Sequence, residues 1–312
     1  MAENSTSEGR RWESPVRIGV GLGARTKASE PEVFGPLVDG IVANGFDSLW
    51  LSERLGGAGP DPLSALAWAA GRAPRLKVGT SVSILPGRAP GPLAQAFATL
   101  DRLTGGRFHP AVGLGVVDPR EQSGFGVDRR QRGSMFDEML PLLRRLWTEE
   151  SVTHEGEHYQ LDDVTIRPQP VQAPLEVWLG GQSPVELRRV GRLGDGWLPS
   201  FCTVDDVRSG WKEVNETAAT HDREIDGGHL GVLIAYATGP LPDEISAFVA
   251  QRRPGVPTSD IIPTSHAELR ERLEAFIEVG ATKFVLTAMA EPDDWQTELG
   301  ELSNAVMELQ EK

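Results

Sequence analysis

The chain has 312 residues, of which 39% are hydrophobic and 24% charged, a balance typical of a globular protein with one large core. Its formal charge of −14 repels a phosphate backbone, so we expect no nucleic-acid partner. Cys202 is the only cysteine, which argues against a disulfide framework and a cysteine zinc cluster. Residues 1–14 predict a flexible polar tail rather than a signal peptide, and no apolar run is long enough to span a membrane, which predicts a cytoplasmic protein.

Short runs of β-branched and apolar residues alternate with longer stretches of helical periodicity, which is typical of parallel strands joined by helices. In chain order, the predicted strands are 16–22, 48–52, 77–83, 108–114, 176–179, 196–198, 230–237 and 283–287. Segments 151–174 and 239–263 interrupt the repeat and predict insertions on the rim. No linker divides the chain, so we expect an α/β fold in which residues 15–312 form a single (β/α)8 TIM barrel.

Residues 154–158 (HEGEH) match the H-E-x-x-H pattern of zinc proteases, which requires both histidines on one face of a helix. Gly156 lies between the histidines, and the alternation of Tyr159 and Leu161 after them is typical of a strand. The segment therefore predicts a β-hairpin with a turn at Glu155 and Gly156, and no metal site.

Gly19, Gly21 and Ala24 match the G-x-G-x-x-A fingerprint of dinucleotide-binding folds. In such folds the fingerprint opens a helix at once, so that the pyrophosphate lies at the helix N-terminus. Here residues 25–31 intervene before the helical pattern begins. We interpret the glycines as a strand end that leaves room for a ligand.

The second predicted strand ends in Ser52, Glu53 and Arg54, directly after an apolar run. Charges at the C-terminal edge of a barrel are positioned for chemistry, whereas charges at the opposite edge usually serve stability. Two interpretations of Glu53 and Arg54 are equally favoured at this point, a catalytic pair and a surface ion pair.

The fifth predicted strand ends in Gly180, Gly181, Gln182 and Ser183, just before a helix that begins with Pro184. The free backbone N–H groups of a helix start, together with a hydroxyl, suit a phosphate. The alternative is an ordinary serine N-cap followed by a proline. We favour the phosphate, because a glycine pair precedes the cap at the functional face of a barrel.

The run 94–108 (AQAFATLDRLTGGRF) resembles the luciferase-like monooxygenase superfamily, and within it the coenzyme F420-dependent branch. Segments 44–50 (NGFDSLW) and 194–199 (GDGWLP) carry the same resemblance. It implies an F420-dependent oxidoreductase that transfers hydride to or from a small-molecule substrate, with FMN as the alternative cofactor. A homodimer is also implied.

The resemblance further implies where the cofactor binds. In the family the third strand ends in a bulge with a non-proline cis peptide that supports the back of the cofactor ring, and the matching bond joins Ser81 and Val82. Gly113 and Gly115 match the fourth-strand loop that passes beside the ring. Together with Ser52 at the end of the second strand and the helix start at 180–183, the predicted cofactor-binding residues are Ser52, Ser81, Val82, Gly113, Gly115, Gly180, Gly181, Gln182 and Ser183.

Two positions depart from the family pattern. Many relatives carry a histidine at the end of the second strand, where this chain has Arg54, which donates hydrogen bonds but does not act as a base. Glu53 is then the nearest candidate acid or base. Sugar-phosphate dehydrogenases of the family place a glutamate where this chain has Val116, which weakens that substrate assignment. Two alternatives remain open, an FMN-dependent monooxygenase and a cofactor-binding protein without turnover.

Further residues carry predictions about the mouth. Tyr236 and Trp197 are candidate lid or ring-packing residues. Arg129, Arg130 and Arg132 precede a helix, where the macrodipole disfavours cations, so they either form a solvated face or meet an anion.

Overall fold

The protein is described here by a computed structural model that covers residues 15–23 and 25–310. The predicted tail 1–14 and Ala24 of the glycine motif lie outside the described residues. The strands are β1 (Arg17–Leu22), β2 (Ser48–Leu51), β3 (Lys77–Thr80), β4 (Ser83–Ile84), β5 (Phe108–His109), β6 (Ala111–Gly113), β7 (Val152–Glu155), β8 (Gln160–Val164), β9 (Trp178–Leu179), β10 (Gly196–Trp197), β11 (Gly231–Tyr236) and β12 (Lys283–Ala288). The α-helices are α1 (Pro31–Ala43), α2 (Pro62–Arg72), α3 (Pro90–Thr104), α4 (Pro119–Gly124), α5 (Arg132–Thr148), α6 (Pro184–Leu193), α7 (Val204–Ala219), α8 (Asp243–Arg252), α9 (His266–Glu278) and α10 (Trp295–Val306).

The barrel is closed and parallel. β1 pairs with β2 and β12, and the ladder continues through β11 on one side and through β3 and β5 on the other. β4, β6, β9 and β10 form the rest of the wall. Bridges from Trp197 to Leu230 and from Ser200 to Leu233 join β10 to β11. The predicted (β/α)8 barrel is confirmed, with its third and fourth strands each divided into two pieces.

A bulge divides the third barrel strand. Val78 pairs with Phe108 and Ser83 pairs with Val112, so five steps along the third strand oppose four along the fourth. One extra residue is therefore inserted, which is the definition of a β-bulge. The Ser81–Val82 peptide within it is cis, as the family resemblance implied.

The glycines of β1 make room for neighbouring side chains rather than for a ligand. A Cβ on Gly21 would lie 2.8 Å from Val285 Cγ1 and 3.4 Å from Thr287 Cβ, and one on Gly19 would meet Ser48. The interpretation of this strand end as open space for a ligand is wrong, because side chains of β2 and β12 fill it.

The N-terminal end of the barrel interior is polar. Lys283 extends over the ring of Trp178, with Nζ 5.1 Å from the ring centroid. Burial and the nearby charge of Lys77 lower the pKa of Lys283 to about 8. Burial likewise lowers the pKa of His109, whose ring stacks on Trp50, to about 3. These groups lie at the opposite end of the strands from the predicted site.

Segment 151–174 contains the predicted hairpin, formed by antiparallel β7 and β8. Its turn lies two residues later than expected, because Glu155 pairs with Gln160 and Gly156 N–H donates to the carbonyl of Tyr159. Glu138 of α5 holds the turn: its carboxylate lies 2.9 Å from His154 Nε2 and accepts the N–H of His158 at 2.9 Å. No cluster of three or more His, Cys, Asp or Glu side chains suited to a metal occurs in residues 15–23 and 25–310.

Segment 239–263 forms the second rim insertion and contains α8. Ile245 and Val249 of this helix pack with Ile261 and Ile262 in a small core of their own. Phe248 reaches the ring of Phe201, at a centroid distance of 5.8 Å. None of the helices in the described part of the chain is long and apolar enough to cross a membrane.

Candidate functional site

Val82 occupies the centre of the predicted site. A Cβ on Gly113 would lie 2.7 Å from Val82 Cγ2, and one on Gly180 would lie 3.2 Å from Val82 Cγ1. The side chain of the bulge therefore lies against the backbone of the fourth and fifth strands. Any side chain larger than hydrogen at position 113 would displace it.

Hydrogen bonds from the second strand hold the bulge. The Ser52 hydroxyl donates to the Ser81 carbonyl at 2.9 Å, and Ser81 N–H donates to the Leu51 carbonyl at 2.8 Å. Glu53 N–H donates to the Val82 carbonyl at 3.2 Å. Both peptide groups flanking the cis bond are thus tied to the end of β2.

The Glu53 side chain is turned into the protein behind the bulge. It is 7% exposed, and its carboxylate accepts the N–H of Ile84 at 2.7 Å and a hydrogen bond from Arg88. Burial raises the pKa of Glu53, against the opposing effect of the Arg88 charge. Both carboxylate oxygens are already bonded, so the structure favours a positioning role, and proton transfer by Glu53 stays a prediction.

Arg54 lies on the mouth side of the same loop and meets a carboxylate. Its Nε donates to Glu121 Oε1 of α4 at 3.1 Å, and the same oxygen accepts the N–H of Leu55 at 3.1 Å. The Arg54 side chain is 33% exposed. Arg54 is therefore ion-paired with the buried Glu121 and not with the adjacent Glu53, and a catalytic role for Arg54 stays a prediction.

The start of α6 already binds a carboxylate. Glu186 Oε2 accepts the N–H groups of Gln182 at 3.2 Å and Ser183 at 3.0 Å, and the Ser183 hydroxyl at 2.8 Å. Ser183 and Glu186 form a capping box. Gly181 has φ +98°, and its carbonyl accepts the indole N–H of Trp197 at 2.8 Å. The expected anion-binding groups are present, with the protein's own carboxylate bound to them.

Gln182 is linked to the second rim insertion. Its side-chain amide donates to the Ser200 carbonyl at 3.1 Å and accepts from Arg253 Nη1 at 2.8 Å. Arg253 also donates to Asp206 at the start of α7, at 2.7 Å. The rim insertion thus holds the orientation of Gln182.

The loop after β6 carries Gly115 at φ +75° and is held by Arg132. Arg132 Nη1 donates to the carbonyls of Gly115 at 2.9 Å and Val116 at 3.2 Å. Burial lowers the pKa of this guanidinium. Arg129 and Arg130 are exposed and form a solvated face, whereas Arg132 places one cation at the mouth.

Trp197 and Tyr236 are core residues, and the lid and ring-packing interpretations are wrong for both. Each is 1% exposed. Trp197 packs on Gly210 and supports the Gly181 carbonyl from behind. The Tyr236 hydroxyl donates to Glu298 at 2.7 Å on the helix side of the barrel wall.

A family model of luciferase-like monooxygenases matches residues 17–307. The chain belongs to this family. The closed barrel and the cis bulge agree with this assignment. The resemblance inferred from residues 94–108 is confirmed.

Relatives of this luciferase-like chain use F420. An F420-dependent glucose-6-phosphate dehydrogenase of Kineococcus radiotolerans is 34% identical over 68% of this chain and 67% of that protein. A Mycobacterium tuberculosis protein named as a coenzyme F420-dependent oxidoreductase is 32% identical over 61% of this chain and 56% of its own length. A solved F420-dependent secondary alcohol dehydrogenase with an F420-acetone adduct has a TM-score of 0.79 at 18% identity, covering 95% of this chain and 99% of that one.

The expectation of a luciferase-like enzyme with F420-dependent relatives is confirmed. Alignments with curated F420-dependent glucose-6-phosphate dehydrogenases span 54% to 67% of their length. The individual site residues stay predictions.

Sequence reasoning missed Arg88, Glu121 and Glu186 in this luciferase-like site. Glu186 had a readable signal, since it stands three residues after Ser183 and completes a capping box. Arg88 and Glu121 had none, because they lie 35 and 67 residues from the side chains they bind. Contacts of that separation follow from the fold and not from local spacing.

Proposed function

We propose that this chain is an F420-dependent oxidoreductase that transfers hydride to or from a small organic substrate at the C-terminal mouth of its barrel. The main support is the bulge at Val82, whose side chain lies directly against Gly113 and Gly180. The glycines of the fourth and fifth strands make room for the Val82 side chain, which stays partly exposed and offers an apolar surface against which a flat ring can pack. F420, when bound, supplies the hydride donor or acceptor.

The residues of this site fit the proposed cofactor. The backbone N–H groups of Gln182 and Ser183 already donate to a carboxylate oxygen, so they suit the phosphate of F420 or FMN. Ser52 and Ser81 hold the bulge in place, and Gly115 lets the loop after β6 approach a ligand. Arg54 is the residue that we propose stabilises negative charge on the ring or the substrate.

Spectral titration with F420 and with FMN tests the proposal, followed by turnover with the reduced form of whichever cofactor binds. Binding of F420 with hydride transfer to a substrate supports it. Binding of FMN alone, with oxygen-dependent product formation, would favour the monooxygenase alternative instead. F420 binding with no turnover on a broad substrate panel would favour a cofactor-binding protein, as replacement of the family histidine by Arg54 allows.

We also propose that residues 15–312 form one domain and that the protein is a homodimer. One hydrophobic core extends from Val16 to Leu309, which supports the first statement. Light scattering coupled to size-exclusion chromatography tests the second, and a monomeric mass at micromolar concentration would contradict it.

A further inference from the structure

Two arginines lie on aromatic rings at the second rim insertion. Arg252 is the last residue of α8, and its Cζ lies 5.1 Å from the centroid of the Phe201 ring. Arg25 follows β1, and its Cζ lies 5.8 Å from the centroid of the Phe248 ring. The two phenylalanine rings meet edge to face, with their centroids 5.8 Å apart. We call these four residues the arginine–phenylalanine cluster.

The cluster lies at the mouth, beside the start of α6. Arg25 and Phe201 each follow the C-terminal end of a barrel strand, β1 and β10. Arg253, the neighbour of Arg252, donates to the Phe201 carbonyl and to the side-chain oxygen of Gln182, the latter at 2.8 Å. These bonds fix the end of α8 next to the helix start that we propose for the cofactor phosphate.

The two arginines of the cluster lack a carboxylate partner. Arg253 pairs with Asp206 at 2.7 Å, whereas neither Arg25 nor Arg252 forms an ion pair within residues 15–23 and 25–310. A guanidinium on a phenylalanine face gains a cation–π contact but keeps its N–H donors free at its edge. Both residues are exposed, so a ligand can reach these donors.

The surroundings of Arg252 favour an anionic ligand. Burial lowers the pKa of its guanidinium, the carboxylate of Glu186 opposes this effect, and the positive charge of Arg54 adds to it. A guanidinium that is both surrounded by protein and open to solvent lies in a recess. Like charges thus face one recess in a protein whose formal charge is −14, and an anion bound there would offset their repulsion.

The position of the cluster beside the phosphate site indicates which anion it suits. FMN ends at its phosphate, whereas F420 continues from its phosphate through a lactate into a tail of glutamates, each with a free carboxylate. Arginine binds carboxylates with two parallel hydrogen bonds. We propose that the arginine–phenylalanine cluster binds the carboxylates of the F420 tail and thereby selects F420 over FMN. This inference rests on the proposed function, since it assigns a second binding site for the same cofactor.

The test compares three ligands by spectral titration: F420 with several glutamates, the form of F420 that ends at the lactate, and FMN. We expect the wild-type protein to bind glutamylated F420 at least about tenfold more tightly than the form without glutamates. Arg252→Gln and Arg25→Gln should each weaken binding of glutamylated F420 by about fivefold and leave binding of the other two ligands nearly unchanged. The double variant should lose the preference for the glutamylated form.

Matched variants separate a local effect from a change in net charge. Arg75→Gln removes the same charge at an exposed position just before β3, at the opposite end of the barrel, and should bind all three ligands as the wild type does. Arg252→Lys keeps the charge but loses the planar fork, so it should restore part of the preference. The preference should also shrink at high salt. Thermal unfolding of each variant shows whether it is folded.

The outcomes separate this inference from the proposed function. If F420 binds equally well with and without glutamates, or if the glutamine variants weaken FMN as much as glutamylated F420, the cluster does not bind the tail, while the proposed function stands. Ligand-observed NMR of the F420-loaded protein provides a further check with glucose 6-phosphate as the probe. Binding of this probe that is lost in Arg252→Gln, with unchanged F420 affinity, would assign the arginine to a substrate phosphate and overturn the inference. If neither form of F420 binds, the proposed function fails and this inference fails with it.

Discussion

Replacing Glu186 by glutamine should strengthen cofactor binding. The Glu186 carboxylate occupies the N–H groups that we propose for the cofactor phosphate, at 3.2 and 3.0 Å. A phosphate must displace this carboxylate or bind beside it. Two unit charges 4 Å apart repel by about 1 kcal/mol in water and about 4 kcal/mol at an effective dielectric constant of 20. Glu186 is partly exposed, so we expect Glu186→Gln to gain about 1 to 2 kcal/mol, or roughly tenfold in Kd.

The assay is the spectral titration with F420, or with FMN if only FMN binds, repeated at low and high salt. Glutamine also completes a capping box, so the variant should lose less than about 1 kcal/mol of folding stability. Glu216→Gln provides a control with the same change in net charge, near the C-terminal end of α7, where Glu216 pairs with Lys212. The gain should shrink as salt increases. Unchanged or weaker binding by a well-folded Glu186→Gln would refute the reasoning and place the phosphate elsewhere.

Three further outcomes follow from contacts in the structure. Gly181→Val should weaken cofactor binding more than Ser183→Ala. The valine would have to adopt a φ of +98° with its Cβ 2.6 to 3.0 Å from atoms of Glu186, whereas the serine change removes one hydrogen bond worth about 1.5 to 3 kcal/mol. Equal, negligible effects of both changes in the titration would contradict this. Arg54→Ala should lower kcat/KM by about 100- to 1000-fold, and Arg54→Lys should restore part of this loss. Steady-state rates of both variants equal to the wild-type rate would contradict this role. Lys283→Met should stabilise the fold by about 1 to 2 kcal/mol at pH 7, where the buried lysine is charged. The gain should be smaller at pH 10, because Lys283 has a pKa of about 8 in the folded state and has lost its proton there. Urea unfolding at both pH values measures the difference in unfolding free energy between the variant and the wild type. A difference that does not depend on pH would show that the charge of Lys283 is not its cause.

The barrel was predictable because its strands follow a local pattern. Runs such as 16–22 and 283–287 stand out by composition, and their observed bounds differ by one residue. The division of the third strand into β3 and β4 came from the family resemblance and not from periodicity. Residues 77–83 read as one continuous strand, since an inserted residue does not change the composition.

The site was predictable in position but not in its contacts. Glycines and polar groups at the ends of strands 2 to 5 identified the loops that meet at the mouth. The partners of Glu53 and Arg54 were not predictable, because Arg88 and Glu121 reach them from other loops. The interpretation of Gly21 as open space for a ligand was wrong for the same reason. The side chains that fill this space, Val285 and Thr287, come from the far end of the chain.

The extra residue in the third strand reverses the parity of its side chains. Before the bulge, odd-numbered Gly79 faces Trp50 inside the barrel. After it, even-numbered Val82 and Ile84 face Gly113 and Gly115, while Leu85 joins the core outside the barrel wall. Removing any one residue between 79 and 82 would restore a single alternation and exchange the two faces of the rest of this strand. Sequence changes in this segment are therefore not equivalent: a substitution alters one side chain of the mouth, whereas a one-residue deletion would replace every side chain that the third strand contributes there by one suited to the core.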